Sequence, residues 1–214
     1  MKFKTNQSEF LKFLEDTWPP EQVTHFDDWT IRIGDGAGKR ASAISLEATW
    51  EENSFRKLKD LLRKLGKSEI FMIYQSGSLL EKELNKLKYQ VFDKSYIFEI
   101  PVTKLIKNKP PTNSMFSIWP PLHIQKELWN SNGIGWQRQS VMNRASQIKT
   151  SILGRWSDNP VASAFIAKSG NVAFLHALVA VSYTHLRAHE TPEHRVIRLL
   201  LEKKKGGGGG GGGG

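Results

Sequence analysis

The sequence predicts an α+β protein built as two tandem halves, each mixing helices with an antiparallel-rich sheet. Three observations carry this expectation. Phe55, Leu58, Leu61, Leu62 and Leu65 recur at helical spacing opposite Arg56, Lys57, Lys59, Arg63 and Lys64. Residues 150–156, 161–167 and 172–179 alternate in the strand period, with turn residues at 157–160 and 168–171. Between these two regions, residues 104–114 lose all periodicity and gather lysine and proline, which places a linker at 106–114 and separates a half at 1–105 from one at 115–180.

Taken in order, the first half opens with Phe10, Leu11, Phe13 and Leu14 at helical spacing after Ser8, a candidate cap, and stops at Pro19-Pro20. Residues 29–33 and 41–46 alternate as strands around the glycine-rich stretch from Gly34 to Arg40, which reads as a hairpin. The helix through Leu58 follows and ends at Gly66. An apolar run at 70–74 reads as a buried strand, Leu79, Leu80, Leu84 and Leu87 as another helix, and 89–92 and 96–100 as two further strands. In the second half a strand at 115–119 precedes helices at 122–129 and 136–145, the first of them started by Pro120-Pro121, and the three successive strands complete it.

The chain has 214 residues and a formal net charge of +10, of which residues 181–214 supply +3. The remaining +7 is spread over 180 residues with lysine ahead of arginine, a solvated surface rather than a nucleic-acid footprint. No apolar run reaches the ~18 residues of a membrane span, and the first ten residues lack the apolar core of a signal peptide. A cytoplasmic protein with no membrane or nucleic-acid partner is therefore expected. The absence of cysteine removes disulfides, thiol catalysis and cysteine-based zinc sites, and no other metal site is expected.

The end of the chain has a different character. His185 and His189 stand four apart beside Glu190, a spacing that on a helix suits a metal, and residues 191–205 carry the signals of a basic helix. However, Val181 to Thr191 resembles, codon for codon, the translation of a transposase-type sequencing-library adapter. Three index positions follow, then a flow-cell primer matched at Val196, Arg198, Leu199, Leu200, Leu201 and Glu202 but not at Arg195 or Ile197, then lysines and nine glycines. Residues 181–214 are thus expected to be an adapter-derived tail, poorly packed and ending in a disordered polyglycine run, with the natural sequence truncated near residue 180.

Most motifs favour a plain reading. Gly34 to Arg40 fails the phosphate-loop pattern, because Ile33 stands where the first glycine belongs and Arg40 follows Lys39 in place of Ser or Thr. The basic face from Arg56 to Lys67 lacks interleaved aromatics and reads as a solvated helix surface. His176 lies in an otherwise apolar strand, as a satisfied core histidine by pattern or as a polar group aimed into a cleft.

The order of strand, two helices and three antiparallel strands at 115–179 resembles the first half of the GNAT superfamily of acetyl-CoA-dependent N-acyltransferases. Closest in texture is a bacterial subgroup sharing Trp18-Pro19-Pro20, Gly38-Lys39-Arg40, Phe71-Met72-Ile73 and Leu175-His176-Ala177-Leu178. The resemblance implies a degenerate GNAT-like half at 1–105 and a truncated acyltransferase domain at 115–180. It implies transfer of an acetyl group from acetyl-CoA to a primary amine of a small molecule or peptide, with Leu178 and Val179 at the end of the strand that receives the thioester. It makes His176, expected on the same side of the strand as Leu178, the candidate for the base or substrate-facing role. The family's glycine-rich pyrophosphate turn should follow directly and is replaced by the adapter-like tail, so the chain as it stands is expected to be inactive. A noncatalytic GNAT-like binding or regulatory module is the alternative.

Overall fold

The computed structural model describes residues 6–105 and 109–181 and the backbone of 201–202; the polyglycine run, most of the adapter-like tail and residues 106–108 of the linker lie outside the described residues. The described residues form a mixed α+β architecture of five α-helices with a three-stranded and a four-stranded antiparallel sheet.

Helix α1 spans Gln7–Thr17. Its cap is Asn6 rather than Ser8: the Asn6 side chain accepts from the Glu9 amide at 2.9 Å while the Glu9 carboxylate accepts from the Asn6 amide at 3.3 Å. This reciprocal pair satisfies two donors that the first turn leaves open. The helix stops at Trp18 because the residue before a proline is driven out of the helical region. Strands β1 (Gln22–Phe26), β2 (Trp29–Ile33) and β3 (Ile44–Leu46) follow, with β2 in the centre. The expected hairpin is present, although its second strand starts later because Lys39–Ser42 winds into a 3-10 turn. Strand β1 was not expected; its side chains are almost all exposed, so it leaves no apolar alternation to read.

Helix α2, Glu52–Lys64, buries Phe55, Leu58 and Leu62 against Trp29, Ile31 and Ile44 of the first sheet. Gly66 at φ +61° ends it in a Schellman turn, with Lys67 N–H on the Leu62 carbonyl and Gly66 N–H on that of Arg63. The strand expected at 70–74 is reduced to one parallel bridge between Ile44 and Phe71, closed by two backbone hydrogen bonds of 2.8 Å. Helix α3, Leu79–Lys86, buries Leu84. No strand forms at 89–92, and of 96–100 only Tyr96 is in one, within β4 (Ser95–Tyr96). These residues are largely exposed, and backbone without a neighbouring strand to pair with has no ladder to join.

The second half follows the expected order closely: β5 (Met115–Ile118), α4 (His123–Ser131), α5 (Trp136–Arg144), β6 (Lys149–Trp156), β7 (Asn159–Ser169) and β8 (Val172–Ala180). The sheet runs β5-β6-β7-β8, with β8 at its edge among the described residues. Ser157 and Asp158, at φ +46° and +68°, make the two-residue turn between β6 and β7. In the tail, β9 (Leu201–Glu202) pairs antiparallel with β4.

Although the linker separates the halves in sequence, their cores do not divide there. Phe10, Leu11, Leu14 and Trp18 of the α1 region, with Ala37 and Ala41 of the loop before β3, share one core with Leu128, Trp129, Val141, Met142, Leu153, Phe165 and Val179. Thus α1 covers the four-stranded sheet from outside the segment that forms it. Its other side reaches the first sheet, where buried Arg32 donates to the Glu15 carboxylate at 2.6 and 2.9 Å and to Ser45 Oγ at 2.9 Å.

Candidate functional site at the edge of the four-stranded sheet

The end of β8 is interrupted by a bulge. Ser163 pairs with Val179 and Phe165 with His176, so Ala177 and Leu178 together face the single residue Ala164. Ala177 takes φ +50°, the left-handed value that lets a strand accommodate an extra residue. The displaced Ala177 carbonyl is satisfied by the Trp129 indole N–H at 2.8 Å, which fixes the bulge to α4. Gln125 anchors the same helix: its side-chain carbonyl accepts from the Leu122 amide at 2.9 Å and from Ser151 Oγ at 3.2 Å.

The extra residue corrects one expectation. Two-residue spacing puts His176 and Leu178 on the same side of a regular strand, but the bulge reverses the parity between them. His176 and Val179 are buried, at 3% and 8% exposure, whereas Leu178 is 39% exposed.

His176 is enclosed on every side by protein. Its ring stacks on Phe174 at 5.7 Å and lies 5.0 Å from Trp18 and 6.3 Å from Phe165. Arg40 Nη2 stands 3.5 Å from Nδ1, and Thr17 Oγ1 stands 3.0 Å from Nε2. A guanidinium only donates, so Nδ1 is the acceptor and the neutral ring carries its proton on Nε2, donating to Thr17, whose hydroxyl donates onward to the Phe13 carbonyl at 2.7 Å. Burial first, and then the positive charge of Arg40, hold the His176 pKa well below the ordinary 6.5. His176, the candidate for the base or substrate-facing role, is thus a buried, neutral ring with both nitrogens engaged by protein groups.

Arg40 belongs to the glycine-rich connection at residues 34–43, and its guanidinium also lies over the Trp18 ring at 5.0 Å. That connection is docked on α5. A Cβ on Gly36 would stand 2.7 Å from Gln137 Nε2, and one on Gly38 would stand 3.3 Å from Arg138 Nε. The glycines therefore serve close approach to a helix, in keeping with a connection rather than a phosphate cradle.

Of the sequence-derived candidates, the structure brings His176 and Val179 into one core and leaves Leu178 at the surface. Thr17, Trp18, Arg40 and Trp129 surround the same strand and were not singled out as site residues. Trp18 and Arg40 had a signal, within Trp18-Pro19-Pro20 and Gly38-Lys39-Arg40; Thr17 had none. Two clefts lie away from His176 among the described residues: one of about 240 Å³ is lined by Gln7, Trp50, Tyr74 and Ser78 among others, and one of about 420 Å³ runs along α4 by Ile124 and Asn130. Among the described residues no cluster of three or more His, Asp or Glu side chains is arranged to hold a metal ion, and no helix is long and apolar enough to cross a membrane. Comparison of the chain with protein-family models, with curated proteins and with solved structures gives no match.

Proposed function

We propose that residues 115–180 are part of a GNAT-type N-acyltransferase that transfers an acetyl group from acetyl-CoA to a primary amine of a small molecule or peptide. The observation that carries this reading is the bulge at Ala177 and Leu178 on the outer strand of a sheet built as strand, two helices and three antiparallel strands. A bulge takes its extra residue out of the ladder and recurs beside active sites; Trp129 holds the Ala177 carbonyl, which leaves the exposed Leu178 to face a ligand. Leu178 and Val179 would hold the thioester end of acetyl-CoA there, and the co-substrate supplies the activated acyl carbon when bound.

The described residues fit acetyl-CoA in part. The outer edge of β8 offers unpaired backbone to an extended arm. After β8 the described residues are Val181 and the backbone of 201–202, and the glycine-rich connection at 34–43 is docked on α5 rather than opening a helix. His176 serves this reading as a positioning residue that fixes β8 against α1, and the attacking amine gives its proton to water.

Calorimetric titration with acetyl-CoA, together with an acetyl-transfer assay on simple primary amines, tests the proposal. The 214-residue chain is set beside the product of the same gene read free of adapter sequence. Tight binding and transfer by the gene product alone is the expected result. Binding by neither sinks the assignment, and equal affinity in both moves the cofactor site away from the end of β8. A noncatalytic binding module is the second reading, favoured by the burial of His176, the only titratable side chain of β8. It predicts that the gene product binds a partner without transferring an acetyl group.

A further inference from the structure

The contact of Arg40 with His176 joins segments far apart in sequence, and its chemistry depends on one proton. Residues 34–43 leave the first sheet, pass over α5 at Gly36 and Gly38, and end with Arg40 between Trp18 and His176. We propose that residues 34–43 form an acid-released latch on β8, closed while the neutral His176 ring accepts from Arg40 on one side and donates to Thr17 on the other. The inference is independent of the acyltransferase reading.

The contact turns on donors and acceptors. Neutral imidazole has one of each, and the fold uses both: Nδ1 faces Arg40 at 3.5 Å and Nε2 faces Thr17 at 3.0 Å. A proton arriving on Nδ1 turns the acceptor into a donor and sets a second positive charge against the guanidinium. Both the hydrogen bond and the electrostatics then oppose the contact. Helix α1 presents Thr17 and Trp18, β7 presents Phe165 and β8 presents Phe174, so Arg40 is the charged group that faces it. Adjacent Lys39 faces away, paired with Asp93 at 2.6 Å.

The backbone of residues 34–43 contains positions suited to a change of path. Asp35, Gly36 and Gly38 sit at φ +40°, +78° and +99°, two of them glycines that cross between backbone regions at little cost. Arg40 is therefore the part of the connection to leave on protonation, and its departure uncovers the Trp18 ring and the inner side of the β8 bulge.

Hydrogen exchange of the amides at 34–43 in the full chain, corrected for the intrinsic pH dependence, tests the latch. Protection at these amides is expected to fall about tenfold between about pH 7.5 and about pH 5 while that of β6 and β7 holds. His176→Gln keeps a donor for Thr17 and an acceptor for Arg40 but does not titrate, so its loop protection should stay level. Arg40→Met should exchange fast at both pH values. A wild-type loop indifferent to pH overturns the proposal, as does an equal fall in His176→Gln. Should His176→Gln fail to fold, Arg40→Met decides alone, since a loop still pH-dependent without Arg40 is not held by this contact.

Discussion

His176 carries a pH consequence on the acid side of neutrality. Its pKa is lowered in the fold, so the unfolded chain takes up the proton first as the solution is acidified. The stability that the neutral ring contributes is whole above about pH 6.5 and is lost as pH falls from there toward the folded pKa, by at most about 1.4 kcal/mol per pH unit. Urea unfolding at about pH 7.5 and about pH 5 should show a larger loss for the wild type than for His176→Gln. Equal losses would place the acid sensitivity in another group. Two neutral groups have comparable leverage. Gln125→Leu strips the acceptor from the Leu122 amide, and Trp129→Phe leaves the Ala177 carbonyl without its donor. Each should cost about 1–3 kcal/mol, the usual penalty of a buried polar group left unpaired, read from the urea midpoint.

Helix ends offer tests at the next scale. The Asn6 and Glu9 box starts α1, and Asn6→Ala should destabilise the protein by about 1 kcal/mol because the Glu9 amide then lacks its acceptor. At the far end of α3, Tyr89 N–H bonds the Leu84 carbonyl and Lys88 N–H that of Asn85, a Schellman turn like the one after α2. Here the left-handed position, φ +65°, holds Lys88 in place of glycine. Lys88→Gly should therefore raise stability by about 0.5–1 kcal/mol, since an L side chain pays for this conformation and glycine does not. An unchanged or lower thermal midpoint would show that the lysine side chain contributes more than its backbone costs. Helices were the most legible elements for the same reason: their stripes, caps and stops are local. The strands of 29–33 and 150–179 were legible because apolar residues recur in them at the strand period between turn residues, even where, as at Thr30 and Arg32, the polar positions are buried too. Strand β1 was not, since its exposed side chains carry no apolar alternation, and the strand read at 70–74 shrank to one bridge because an apolar run does not say how much of it finds a partner.

At the scale of the whole molecule the shared core is the determining feature. Leu14 belongs to the first segment yet packs with Phe165 and Val179 of the second sheet. Leu14→Ala should cost about 2–5 kcal/mol, the range for truncating a buried leucine. The loss should lower the protection of β7 amides by hydrogen exchange as much as that of α1. Protection lost in α1 alone would mean that the two segments unfold independently. The same sharing explains why the linker at 106–114 divides the sequence more cleanly than the structure: composition marks where the chain is unpatterned, whereas core membership depends on which faces meet.

The sequence by itself determined the α+β class, the succession of elements from 115 to 180 and the apolar faces of α1 and α2, because each is written in periodicities of one segment. It also marked His176 as an anomaly, a polar residue in an apolar strand. Only the tertiary structure decided what surrounds that residue. The bulge at Ala177 and Leu178 breaks the two-residue rule by which its side was read, and Thr17 and Arg40 reach it from 159 and 136 positions away. No local pattern encodes such distances; they follow from α1 and the connection at 34–43 closing on a sheet that the other end of the chain builds.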